Sequence, residues 1–93
     1  MSDGFESIAR RFRDRCANDL VTVETALSQS PNPGSDDLRT VVHRLAGLAA
    51  TFGFAELGRL SREIDLELVE GRQPSQRQLQ ALAAAMAEVA KPS

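Results

Sequence analysis

Phe5, Ile8, Phe12, Cys16, Leu20, Val23 and Leu27 recur at spacings of three and four residues, an apolar stripe sustained over about six helical turns. A stripe of that length on one side of a helix has to be covered, so the chain must supply other helices to pack against it. Asp3 followed by Glu6 reads as a capping box at the start of this first helix, predicted over residues 4–29. Arg10, Arg11, Arg13 and Arg15 cluster on its early turns, relieved only by Asp14. Such a run reads as a solvated face, with a docking surface for an acidic partner as the alternative. Cys16 lies on the stripe, which predicts a buried, inert thiol.

Ser30-Pro31-Asn32-Pro33-Gly34 ends that helix, because the prolines lack donors and push the residues before them out of the helical region. Ser35 then offers a side-chain cap, and Asp36 and Asp37 place negative charge at the positive end of a second helix's dipole. That helix is predicted over residues 36–52, closed by Gly53 in the left-handed conformation. Its apolar face is Leu38, Val41, Val42, Leu45, Leu48, Ala49 and Phe52. Leu57, Leu60, Ile64 and Leu68 give a third helix, residues 55–70, its stripe, and Leu66 falls opposite, facing water. Gly71-Arg72-Gln73-Pro74 is a stop and turn, and Ser75 with Gln78 forms a second capping box. The fourth helix, residues 76–90, buries Leu79, Leu82, Met86 and Val89, and its alanine-rich stretch leaves room for a close neighbour. Four amphipathic helices with short connections predict an all-α fold, an antiparallel up-down four-helix bundle. Residues 1–93 form one domain, and a monomer is expected because all four stripes can be consumed internally.

Composition excludes several function classes. A net charge of −2 and aromatics limited to four phenylalanines do not call for nucleic acid. The lone Cys16 excludes an internal disulfide framework and fits a reducing compartment. One histidine and one cysteine put a zinc site of the usual spacing out of reach. No apolar run approaches the roughly 18 residues of a membrane span, and Met1-Ser2-Asp3-Gly4 lacks a signal peptide's basic-then-apolar order. A cytoplasmic protein is expected.

His43, the only histidine, falls roughly 160° from the middle of the second helix's apolar face at about 100° per residue, so it points to solvent. On the same side of the helix, within two turns, lie Arg39, Ala46, Gly47 and Ala50, three of which are glycine or alanine. Gly47 in mid-helix costs about 1 kcal/mol against alanine, which suggests a need for bare backbone beside the ring. Close helix packing is the alternative, with His43 then an ordinary surface histidine. Gly58, Arg62, Asp65 and Val69 share a flank of the third helix that a short Phe52-Gly53-Phe54 turn can bring near His43.

His43-Arg44-Leu45-Ala46-Gly47, followed by Phe52-Gly53-Phe54, resembles the histidine-containing phosphotransfer (HPt) domain. The resemblance runs from about Leu38 to Leu68 and is similar, without gaps, to the phosphotransfer domain of chemotaxis histidine kinases. It implies a four-helix bundle whose exposed histidine carries a phosphoryl group between receiver domains or from a histidine kinase. By position it implies His43 as phosphoacceptor, Gly47 as the residue that opens space beside it, and Gly53 as the turn glycine. Asp65 falls where the family places an acidic or amide group hydrogen-bonded to the histidine, and Arg62 where another polar contact occurs. One position departs: the family often has lysine three residues after the histidine, and this chain has Ala46. The positive charges left within reach are Arg39, Arg44 and Arg62, of which Arg44 points well round the helix and ranks below the others.

The glycines do not fall in a Walker or Gly-rich-loop spacing, so the chain is expected not to be an enzyme that phosphorylates itself from ATP. The resemblance implies a carrier that needs no cofactor of its own, with the catalytic aspartate and Mg²⁺ belonging to the partner. Its partners would be the receiver domains of response regulators, a histidine kinase, or both. Two alternatives stand beside it: a non-phosphorylated receiver-binding module, and a plain helical interaction or dimerisation domain.

Overall fold

The structure is a computed structural model that describes residues 3–28 and 36–91. The proline loop, the Ser35 cap, the Pro92-Ser93 tail and the side chains of Asp3 and Phe5 lie outside the described residues. Four helices make up the described chain: α1 (Asp3–Ser28), α2 (Asp36–Leu48), α3 (Ala55–Val69) and α4 (Gln76–Ala90). They form the expected all-α antiparallel bundle, with no strand among the described residues. Around the ring α2 lies along α3 and α1 along α4, while α1 touches α2 more lightly. Cross-links fix the directions. Phe12 of α1 stacks on Phe52 at 5.1 Å, Arg44 of α2 reaches back to Asp19, and Gln76 at the start of α4 donates to the Leu27 carbonyl near the end of α1. Among the described residues no helix is long and apolar enough to cross a membrane.

The core draws on every helix. Cys16 and Val23, Leu38 and Val42, Ile64, and Leu79, Leu82 and Met86 are each 0% exposed, and each large aliphatic side chain so buried stabilises the fold by about 1.5–3 kcal/mol. All four positions read as buried on α4 are buried, and Leu66 is exposed as expected. Among the described residues two stripe members are exposed, Ile8 at 52% and Leu48 at 39%, while Leu20, Leu27, Phe52, Leu60 and Leu68 are partly buried against the core. Ile8 and Leu48 lie at the end of the bundle where α1 and α2 separate and a groove opens between them. One polar residue takes a stripe position instead. Asp19, three residues after Cys16 and four before Val23, is only 9% exposed.

The α2 helix stops at Leu48 rather than near Phe52. The chain tightens there into a short 3₁₀ turn, Ala50–Phe52, in which Phe52 N–H donates to Ala49 O and Gly53 N–H to Ala50 O. Gly53 then takes φ 85°, a value an L side chain resists, and reverses the chain into α3 as expected. Phe52 and Phe54, on either side of it, both stack against Phe12, which pins the turn to α1. At the other end of α3 the helix closes at Val69, and the predicted box opens α4: Ser75 Oγ accepts from Gln78 N–H at 3.0 Å while Gln78 Oε1 accepts from Ser75 N–H at 2.8 Å.

Candidate functional site

The Gly53 reversal sets the register of α3 on α2. Around Gly58 the two helices run close enough that a Cβ there would stand 3.7 Å from Ala49 Cβ and 3.5 Å from the Ala50 nitrogen. Seven residues back from Ala50, through the turn and into α2, is His43, and seven residues on along α3 from Gly58 is Asp65. In antiparallel helices equal steps of about two turns keep facing residues opposite each other. His43 Nδ1 accordingly stands 3.3 Å from Asp65 Oδ2. The imidazole is 80% exposed while the carboxylate is 23% exposed, so the acid sits at the wall of the bundle and the ring projects from it.

The neutral tautomer that carries its proton on Nδ1 donates to Asp65 and leaves the lone pair on Nε2, directed away from the carboxylate. The ring stands in an open cleft whose walls include Asp36, Arg39 and Thr40 on one helix and Leu68 and Val69 on the other. Arg39 is 60% exposed and 3.9 Å from Asp36, too far for a hydrogen bond, so most of its donors face solvent.

Arg44, expected well round the helix from His43, reaches across to α1. Arg44 lines the His43 cleft, anchored by an Nη2 bond of 2.6 Å to Asp19 Oδ2. Arg62 is not among the residues lining that cleft. Its guanidinium lies back along α3, with Nη1 3.6 Å from where a Cβ on Gly58 would stand. A bare glycine one turn earlier leaves that path open, whereas Arg44 is drawn across to a carboxylate on another helix.

The small residues around His43 differ in burial. Ala46 is partly buried, and Ala50 is exposed at the start of the 3₁₀ turn. Gly47 is exposed, and nothing lies within 4 Å of where its Cβ would stand. Two polar residues near the site carry no apolar signature. Asp19 betrays itself only as a charge on a stripe position. Ser61, one turn before Asp65 on the same flank, is 0% exposed with its hydroxyl unpaired. Cys16 is buried beside the Asp19–Arg44 pair; burial first and the Asp19 charge second push its thiol up to about 11, against the opposing pull of Arg44.

A model of the Hpt domain family matches residues 7–91, nearly the whole described chain. No match is found among the curated proteins or among the solved structures.

Proposed function

We propose, on the premise that this chain belongs to the Hpt domain family, that His43 is its phosphoacceptor and that it carries phosphoryl groups to or from receiver domains. Hpt domains serve histidine phosphotransfer in two-component signalling, as phosphocarriers without kinase activity. The observation that carries the reading here is an imidazole 80% exposed with Nδ1 3.3 Å from Asp65. In the tautomer that donates from Nδ1 to Asp65, Nε2 is accessible and carries the lone pair, the two requirements for a nucleophile.

In the transfer, the Nε2 lone pair attacks the phosphorus of a receiver's phospho-aspartate. The N–P bond forms as the P–O bond to the carboxyl breaks, and that electron pair leaves with the carboxylate. No proton has to depart from Nε2. The positive charge that develops on the ring is answered by Asp65, which also holds the ring angle and tautomer. The phosphoryl oxygens meet positive charge from Arg39 and Arg44, since Ala46 offers none. In water each such charge at 4 Å contributes about 1 kcal/mol or less. A catalytic aspartate and Mg²⁺ belong to the receiver, and the chain acts as a cytoplasmic monomer of one domain.

Incubation with a phosphorylated receiver tests this directly. The wild-type chain should acquire acid-labile, base-stable phosphate. His43→Gln should acquire none while keeping its stability within about 0.5 kcal/mol, as for a surface substitution. Phosphate on the variant would overturn the assignment. Receiver binding without phosphate uptake by the wild type would make the chain a receiver-binding module instead.

A further inference from the structure

The cleft at His43 opens toward one end of α2. On that helix its wall runs from Asp36 through Arg39 and Thr40 to Arg44, and among the described residues no part of α2 beyond Arg44 lines it. This is the side that a helical side chain favours, because Cα–Cβ bonds tilt toward the helix N-terminus. A phosphoryl group on Nε2 therefore stands over the turn that carries Arg39, and away from Ala46 and Gly47.

The positive charge on that side is contested. Arg44 arrives already paired, with its Nη2 bond of 2.6 Å to Asp19. Thr40 brings no free donor, since its hydroxyl donates to the Asp36 carbonyl at 3.0 Å. Arg39 is the cation that no hydrogen bond holds among the described residues: its carboxylate neighbour Asp36 stands 3.9 Å away, and the two side chains are 60% and 99% exposed.

Asp36 lies three residues before Arg39 and His43 four residues after it, so the guanidinium has a neighbour one turn to either side on the same face. While His43 is bare, the one anion within that reach is Asp36. Once His43 is phosphorylated there are two, and they draw on a single charge. Arg39 can turn to the phosphoryl oxygens without breaking a hydrogen bond, but it gives up its pairing with Asp36. The carboxylate is then left facing a dianion of like sign about two turns along the helix, roughly 10 Å of axis.

We propose that Asp36 is a counter-charge that competes with the phosphoryl group for Arg39, and that this competition shifts the transfer equilibrium toward the receiver, so that the chain passes phosphate on rather than storing it. The proposal deepens the reading of His43 as phosphoacceptor and rests on it. In the favoured direction a receiver's aspartate oxygen attacks phosphorus, the N–P bond breaks as the O–P bond forms, and the electron pair returns to Nε2. A second use of Asp36, as a first-turn acid that answers the dipole of α2, is shared with Asp37. Asp37 is not among the residues that line the cleft, so substitution separates the two uses.

The test is the ratio of labelled phosphate on the chain and on a receiver domain charged by acetyl phosphate with Mg²⁺, read at equilibrium between the free proteins, where it is independent of how tightly they dock. Asp36→Asn should move the ratio toward His43 about three-fold at low salt, and less at high salt. Asp37→Asn, with the same change of net charge, should stay within about 1.5-fold of wild type, because its charge lies outside the cleft. Arg39→Ala should move the ratio about three-fold toward the receiver, and Arg39→Lys should restore it by keeping the cation. In the Arg39→Ala background the effect of Asp36→Asn should shrink to half or less, the sign of coupling through the shared charge. An unchanged ratio in Asp36→Asn, an equal shift in Asp37→Asn, or a full-sized Asp36→Asn shift without Arg39 overturns the proposal while the phosphoacceptor stands. No label on wild-type His43, from the receiver or from phosphoramidate, overturns the phosphoacceptor reading and this proposal with it.

Discussion

Asp19 of α1 accepts a 2.6 Å hydrogen bond from Arg44 of α2, the residue that follows His43 in the chain. The carboxylate is 12% and the guanidinium 27% exposed, so the bond is shielded enough to hold the two helices in one lateral position. It is the polar tie across the lightest of the contacts between neighbouring helices.

Asp19→Ala removes that tie and leaves a half-buried guanidinium without its partner. The expected loss is about 1–3 kcal/mol of stability, read from the midpoint of urea unfolding. Asp19→Asn, which keeps an acceptor but not the charge, should fall between wild type and alanine. No change in either variant would mean that solvent replaces the bond at no cost.

Asp65 acts through the ring it faces. Asp65→Ala should move the proton of neutral His43 from Nδ1 to Nε2, visible in the ring's ¹⁵N shifts, and slow transfer about five-fold, equivalent to about 1 kcal/mol. Asp65→Asn still offers an acceptor to Nδ1, so it should restore the tautomer while recovering only part of the rate. An unaltered tautomer in the alanine variant would remove Asp65 from the reaction.

Gly47→Leu meets no neighbour, because nothing lies within 4 Å of the added Cβ. Better helix propensity should raise stability by up to about 1 kcal/mol. Transfer from the receiver should fall all the same, because the branched side chain stands between the imidazole and the partner. Wild-type transfer in this variant would show that the cleared space has no role.

Cys16 carries a pH signature. Its thiol is pushed up to about 11 in the folded chain, so between about pH 9 and 11 the native state keeps a proton that the unfolded state releases. Stability must fall as pH rises through that window, by up to about 3 kcal/mol. Urea midpoints from pH 8 to 11 should show the fall, with Cys16→Ala lacking this part of it. At pH 8 the native thiol should resist alkylation until the chain unfolds.

Periodicity and capping made most of the helices legible, because both are local. Leu79, Leu82, Met86 and Val89 are all buried, and Gly53 and the Ser75–Gln78 box close and open helices where expected. The same periodicity misplaced Ile8 and Leu48, since it tells which face of a helix is apolar but not whether a neighbour reaches far enough to cover it. The end of α2 was displaced because the change to i→i+3 bonding at Ala50 has no residue signature. The bond between Asp19 and Arg44 was hidden for a related reason: the partners are 25 residues apart, and a long side chain points where its partner is.

His43 and the acid that faces it are 22 residues apart and belong to one helical hairpin. Closing a loop of that length costs roughly 3 kcal/mol of chain entropy, so the reactive pair can form early, from local contacts alone. The α1 helix joins that hairpin from outside and brings Arg11 and Arg15 with it. Substitutions on the outer surface of α1 should therefore leave His43 and Asp65 in place relative to each other, so the geometry of the pair is insulated from whatever that surface meets.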